Sequence, residues 1–219
     1  MRSVRLICAA VMTVATLVAV GATTQSASAA GVSLHFSRPS AIANETIQMD
    51  GTLPTAAVRT VRLQYRTGTS GSWTTRLTEK STSNGFFFFV VKNTKTRYWR
   101  ISVPAGAGQP AVVTTPKRLA VVPQKVEYFE ATNECDSNTN SVVTVWADFY
   151  PARPGRRVDF ATPAGPRTGF QDAKGIATVQ VLTGASGLVG VQATAAADDG
   201  AAAKASVVRQ LSLPQCDPV

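Results

Sequence analysis

Ser83-Asn84-Gly85 runs straight into Phe86-Phe87-Phe88-Phe89-Val90-Val91. Asn-Gly suits backbone at positive φ, and aromatic and β-branched residues suit a pleated, half-buried surface. The stretch therefore predicts a tight turn feeding a strand. The same device returns 90 positions later, where Asp172-Ala173-Lys174-Gly175 leads into Ile176-Ala177-Thr178-Val179-Gln180-Val181. At that offset Trp99, Ile101 and Val103 match Val189, Val191 and Ala193; at an offset of 97, Pro54, Val61 and Leu63 match Pro151, Val158 and Phe160. One β unit is repeated, and the second copy has lost a short loop.

Working outward, the N-terminus reads as an export signal. Arg2 and Arg5 precede a nearly unbroken apolar run from Leu6 to Ala22, and Ala27-Ser28-Ala29 is a small-residue cleavage pattern. The run approaches the length of a spanning helix, but no basic stop-transfer cluster follows, so residues 1–29 are expected to be removed. Cleavage leaves 190 residues with two cysteines, Cys135 and Cys216. An even pair in an exported chain predicts one disulfide, tying the start of the second unit to its end. No second apolar span is evident, which fits a protein secreted or loosely attached to the cell surface.

Residues 30–122 read as seven short strands: 32–36, 46–53, 59–66, 73–77, 86–91, 97–103 and 117–122, with Pro, Gly, Asn and Ser in the gaps. Val122-Pro123-Gln124 is the boundary. Residues 123–219 repeat the pattern over 126–130, 141–149, 157–161, 176–181, 187–195 and 205–213, with Asp199-Gly200 as a hairpin tip. Short strands at this spacing, without helical periodicity, predict an all-β chain of two tandem antiparallel sandwiches, each with its own core.

Phe36-Ser37-Arg38-Pro39, Met49-Asp50-Gly51-Thr52-Leu53-Pro54, Val61-Arg62-Leu63-Gln64-Tyr65-Arg66, Trp73, Ser83-Asn84-Gly85 and Trp99-Arg100-Ile101 together resemble bacterial immunoglobulin-like domains of secreted actinobacterial proteins. Pro154-Gly155-Arg156-Arg157-Val158 and Asp172-Ala173-Lys174-Gly175 look like a more divergent member. The resemblance covers nearly all of residues 30–219 and implies two immunoglobulin-like sandwiches. Such domains serve as spacers, adhesins and accessory modules, so a task does not follow from the fold.

Charge separates the two units. Residues 30–122 hold twelve Lys and Arg against Glu45, Asp50 and Glu79, a net of +9; residues 123–219 hold eight against ten acids, a net of −2. If Val61, Leu63 and Tyr65 face inward, alternation turns Arg62, Gln64 and Arg66 outward, with Tyr98 and Arg100 on the neighbouring strand beside them. The same rule turns Phe86 and Phe88 outward if Phe87, Phe89 and Val91 fill the core. Two exposed Phe in one strand mark a sticky surface unless loops or the other unit cover them.

Catalytic signatures are lacking. His35, the single histidine, stands in the first strand without Cys or clustered carboxylates nearby, and no Ser occupies a nucleophile elbow. Gly106-Ala107-Gly108-Gln109-Pro110-Ala111 fits a loose dinucleotide fingerprint, but Pro110 and the following valines deny it a helix. Glu127, Glu130, Glu134 and Asp136 stand near the boundary, where calcium could bridge two sandwiches, yet their spacing follows no known loop. The reading is a secreted, non-enzymatic binding or structural module without a cofactor, contacting an anionic envelope polymer or another protein through Arg62, Arg66, Tyr98, Arg100, Phe86 and Phe88. Nucleic acid is not an expected partner, and no membrane span remains after cleavage. The alternative is a small-ligand carrier resembling the enediyne-binding apoproteins, which use two disulfides in one domain and an open cleft.

Overall fold

The computed structural model describes residues 31–136 and 139–216, so the expected signal segment lies outside the described residues. Its first unit contains β1 (His35–Phe36), β2 (Ser40–Ile42), β3 (Thr46–Thr52), β4 (Thr60–Arg66), β5 (Thr74–Lys80), β6 (Phe86–Lys92), β7 (Arg97–Val103), β8 (Val112–Val113) and β9 (Lys117–Val122). The predicted first strand is shorter than expected, and the chain changes sheets after it. β1 pairs antiparallel with β3, whereas β2, beyond Pro39, pairs parallel with β9 in the facing sheet. Proline has no N–H to give a ladder, so the crossing falls where pairing is weakest. The two sheets run β1-β3-β6 and β2-β9-β7-β4-β5.

The second unit comprises β10 (Lys125–Cys135), β11 (Ser141–Tyr150), β12 (Arg157–Ala161), β13 (Arg167–Phe170), β14 (Ile176–Thr183), β15 (Gly187–Ala195), β16 (Lys204–Ala205) and β17 (Arg209–Leu213). Its sheets, β10-β11-β14 and β13-β12-β15 with β16 and β17 on the outer side of β15, repeat the plan of the first. The chain is all-β, and its two sandwiches stand in tandem. Sequence reading missed β13, a four-residue edge strand whose Gly169 breaks the apolar signal. The predicted strand over 205–213 is split because Ser206 accepts the Ala193 N–H with its hydroxyl and gives its own N–H to the Ala193 carbonyl.

Alternation fills both cores. Phe87, Phe89 and Val91 point inward at 1%, 2% and 2% exposure, against Leu34, Met49, Leu63, Trp99 and Leu119. Val145, Phe149, Val158, Phe160 and Val191 form a separate second cluster. Truncating one of these buried Phe side chains to Ala would cost about 3–5 kcal/mol. The repeat holds at the level of faces but slides in register. Leu63 lies opposite Ile101, whereas Phe160 lies opposite Ala193. The 97- and 90-residue offsets would set Phe160 against Val191; a slide of two residues preserves which side chains point inward.

The repeated turns correspond bond for bond. Gly85 donates to the Thr82 carbonyl, Thr82 N–H donates to the Phe86 carbonyl, and Leu53 N–H reaches the Gly85 carbonyl. In the second unit Gly175 donates to Asp172, Asp172 to Ile176, and Phe149 to Gly175. Gly85 and Gly175 sit at φ 82° and 96°, where a side chain would be strained. The turns do not close hairpins within a sheet: β5 pairs with β4, and β6 with β3, so the chain crosses from one sheet to the other. Asp199-Gly200, in contrast, is a true hairpin tip. Both residues have positive φ, and Asp198 and Ala201 exchange backbone hydrogen bonds.

That tip docks on the first unit. Asp199 carbonyl accepts the Thr46 N–H at 2.7 Å, and a Cβ on Gly200 would lie 2.5 Å from the Asn44 carbonyl. Beside it Arg153 donates through Nε and Nη2 to both oxygens of Glu45, at 2.6 and 2.7 Å, with both residues buried. The second Glu45 oxygen also accepts the Ile42 N–H, and Arg153 Nη2 reaches the Ser40 carbonyl. Arg38 joins Glu45 to Asp199, at 3.4 and 2.9 Å. A forked arginine–carboxylate pair with its remaining lone pairs satisfied fixes orientation as well as contact. At the opposite end of the second unit, a disulfide joins Cys135 and Cys216 across 81 residues.

Candidate binding face

β4 supplies the face its alternation predicts. Val61 and Leu63 are fully buried, and Arg62, Gln64 and Arg66 project from the other side. β7 lies alongside with Arg100 opposite Gln64 and Tyr98 opposite Arg66, and β9 extends the row with Arg118 opposite Tyr98. On the other flank, the β4–β5 register shifts between Leu63 and Gln64, so that Thr75 comes opposite Gln64. Such a bulge bends its strand locally.

Trp73, immediately before β5, completes the arrangement. The Arg66 guanidinium lies 4.5 Å and the Arg100 guanidinium 4.1 Å from its ring centre. Arg100 donates through Nε to Gln64 Oε1 at 2.9 Å, and Gln64 Nε2 donates to Thr75 Oγ1 at 3.2 Å, linking three strands. Burial first, and the positive charge of Arg66 second, hold Arg100 below the usual guanidinium range. Two cations thus share one indole instead of a carboxylate. A ring face attracts each of them, their mutual repulsion opposes the pairing, and an anion placed between them would relieve it.

None of the three acids of residues 30–122 shares this face. Glu45 lies in the inter-unit joint, Asp50 lies opposite Phe88 in the other sheet, and Glu79 lies opposite Val61, out of phase with Arg62. The corresponding face of the second unit does not repeat the row of arginines. Where the first has the cross-strand pairs Arg62–Ser102 and Gln64–Arg100, the second has Asp159–Thr194 and Ala161–Gln192. Arg157 donates to Asp159 there at 3.1 Å.

The structure brings Arg62, Arg66, Tyr98 and Arg100 together but separates them from Phe86 and Phe88, which lie on the outer side of the facing sheet. The six residues therefore do not make one surface; β6 pairs with β3, not with β4 or β7. Phe86, Phe88 and Val90 remain 39%, 42% and 50% exposed, so neither loops nor the second unit cover them. Sequence reasoning missed Trp73 and Arg118 as members of the basic face. A Trp seven residues beyond a strand of alternating arginines was a signal, but its landing place depends on the bulge.

Other candidates resolve simply. His35 is exposed and bonds Ser33 Oγ at 2.8 Å. Gly106 and Gln109 exchange backbone hydrogen bonds in a tight turn, so the glycine pattern there opens no helix. Glu127 pairs with Lys125 at 2.6 Å, and among the described residues no group of three His, Cys, Asp or Glu converges as a metal site. A cleft of about 430 Å³ lies beside the joint, lined by Arg38, Gln48, Arg153 and Asp199 together with Val90 and Pro154. No helix among the described residues is long and apolar enough to cross a membrane.

No protein family matches the chain. No curated protein matches it either. Solved structures similar to it include the D0-D1 domain of intimin, at 16% identity and a TM-score of 0.33, covering 84% of this chain and all of that one. The human OSCAR ligand-binding domain gives 12% identity and a TM-score of 0.40, covering 85% of this chain and all of that one. Invasin, a bacterial integrin-binding protein, gives 18% identity and a TM-score of 0.32, covering 87% of this chain and 40% of that one. At such identities and scores the likeness carries neither ligand nor activity across.

Proposed function

We propose that the chain is a secreted, non-enzymatic binding module of the cell envelope, whose first unit holds an anionic polymer through Arg62, Arg66, Arg100 and Arg118 with Trp73 and Tyr98 between them. The observation that carries this reading is the pair of guanidiniums on Trp73 with no carboxylate on their face. Stacking restrains two long side chains before any ligand arrives, so less rotamer freedom is lost on binding. Each exposed cation near an anionic surface contributes on the order of 1 kcal/mol, which for a row of four gives weak, salt-sensitive association. The cleft at the joint does not favour the small-ligand carrier, since charged side chains line much of it.

The test is co-sedimentation of the full chain with purified envelopes, and with polyuronate and neutral dextran beads as defined probes, across a salt series. Binding to envelopes and polyuronate should fall steeply between low salt and 1 M, where the Debye length is about 3 Å. The triple change Arg62→Ala, Arg66→Ala, Arg100→Ala should abolish it. Undiminished binding by the triple variant, or equal binding to neutral dextran, would overturn the reading.

A further inference from the structure

β6 is the last strand of its sheet, and among the described residues nothing pairs with its outer edge. The Leu53 N–H bond to the Gly85 carbonyl at one end and the Asn93 N–H bond to the Glu45 carbonyl at the other fix which residues face β3. Backbone groups of Phe87, Phe89 and Val91 are directed to β3; those of Phe88 and Val90 are directed to the open edge. Phe86 is satisfied by its own turn, its carbonyl taking the Thr82 N–H and its N–H reaching Asn84 Oδ1. Phe86 to Val91 contains no charge, proline or glycine, the devices by which exposed edges are normally blunted.

The second unit shows the same strand with such protection. β14 is also an edge, and the matched turns make Thr178 and Gln180 the counterparts of Phe88 and Val90. Polar side chains replace apolar ones, and Gly169 of β13 runs close enough that a Cβ there would lie 3.3 Å from the Thr178 carbonyl. The open, apolar edge belongs to β6 alone of this pair.

We infer that β6 pairs antiparallel with β6 of a second copy of this chain, forming a two-fold dimer centred on Phe88. The strand is self-complementary in that register. Phe88 meets Phe88 of the other copy, Phe86 and Val90 meet each other, and Lys92 meets Asn84 rather than another charge. A two-fold contact requires such self-matching of one patch. Centring on Phe88 also directs its free N–H and carbonyl at those of Phe88 in the other copy, and it gathers both exposed apolar rows on one side of the joined sheet. The dimer would carry two basic faces, so a polymer could engage both at once.

Sedimentation velocity of the full chain over a concentration series tests this. A monomer–dimer equilibrium is expected, and Phe88→Lys should raise its dissociation constant by about 30-fold or more, as removal of a central contact does. Thr178→Lys, at the matching place in β14, should leave it unchanged. Because both copies are basic, added salt should leave dimerisation intact or strengthen it while weakening polymer binding, so failure of one reading is separable from failure of the other. Under mild oxidation Phe88→Cys should give a covalent dimer and Thr178→Cys should not. A monomer throughout, a dimer indifferent to Phe88→Lys, or equal crosslinking by the two cysteine variants would overturn the inference.

Discussion

The two units share a plan down to the hydrogen bonds of one turn, yet their outer surfaces have little in common. Inward positions remain apolar in both: Val61 and Leu63 correspond to Val158 and Phe160, all fully buried. Several outward positions have diverged, with Arg62 and Gln64 answered by Asp159 and Ala161, and Phe88 by Thr178. What the sandwich requires is the alternation and the positive-φ glycine; the remaining positions are free for other work. The first unit therefore carries the net positive charge and the outward row of Phe86 and Phe88, and the second holds it in place through Arg153 and the Asp199-Gly200 tip.

The largest effect expected concerns that hold. Arg153→Met strands a buried Glu45 carboxylate with Arg38 as its remaining cation, so stability should fall by about 3–5 kcal/mol, read from the urea midpoint. Adding Glu45→Met should restore much of the loss, because the pair rather than its absence is the source of the penalty. A single variant with an unchanged midpoint would mean that the units behave as independent bodies.

The matched glycines sharpen the comparison at smaller scale. Ala at either position is forced to positive φ, at a cost on the order of 1–3 kcal/mol. Its Cβ would lie 2.5 Å from the Phe149 carbonyl at Gly175 and 2.9 Å from the Thr55 carbonyl at Gly85. Gly175→Ala should be the more damaging of the two in chemical denaturation, and the reverse order would deny that the turns are under the same constraint.

The smallest effect separates the turns by acid. Asp172 accepts the Ile176 and Lys174 N–H groups, and these bonds hold its carboxyl below the usual carboxylate range. A depressed native pKa stabilises the fold above the unfolded value of about 3.9, and the contribution fades as pH drops through the native value. Asp148 works in the opposite sense: desolvation first, then Glu127 and Asp172, raise its pKa, so protonating it favours the fold. Asp172→Asn, which copies the chemistry of Asn84, should flatten the acid limb of melting temperature against pH between about 5 and 2. An unaltered acid limb would remove Asp172 from that account.

How much was legible follows from range. The β class, the inward sets, both turns and the disulfide rest on local patterns: period-two alternation, glycine placement and cysteine parity. The adjacency of β4 and β7, which brings Arg100 beside Gln64, followed from the sandwich plan. Trp73 was not legible as part of the basic face, because a register shift two residues into β5 decides where it lands. The joint was invisible for a similar reason. Glu45 and Arg153 are separated by 108 residues, and each by itself reads as an ordinary surface charge. Phe86 and Phe88 were read correctly as outward-facing, but alternation within one strand does not say which sheet that strand joins.

The position of the Cys135–Cys216 bridge has a mechanical consequence. Suppose a tether pulls on the chain at residue 216. The tension enters the sulfur–sulfur bond, passes to Cys135, runs back along β10 to Lys125 and leaves through Pro123 into β9. Residues 136–215, including β11 to β17, hang inside the bridged loop and lie off that covalent path. Under load the second unit thus acts as a single braced strand with a sandwich folded against it, and its hairpins cannot be unzipped from that end while the bridge is intact.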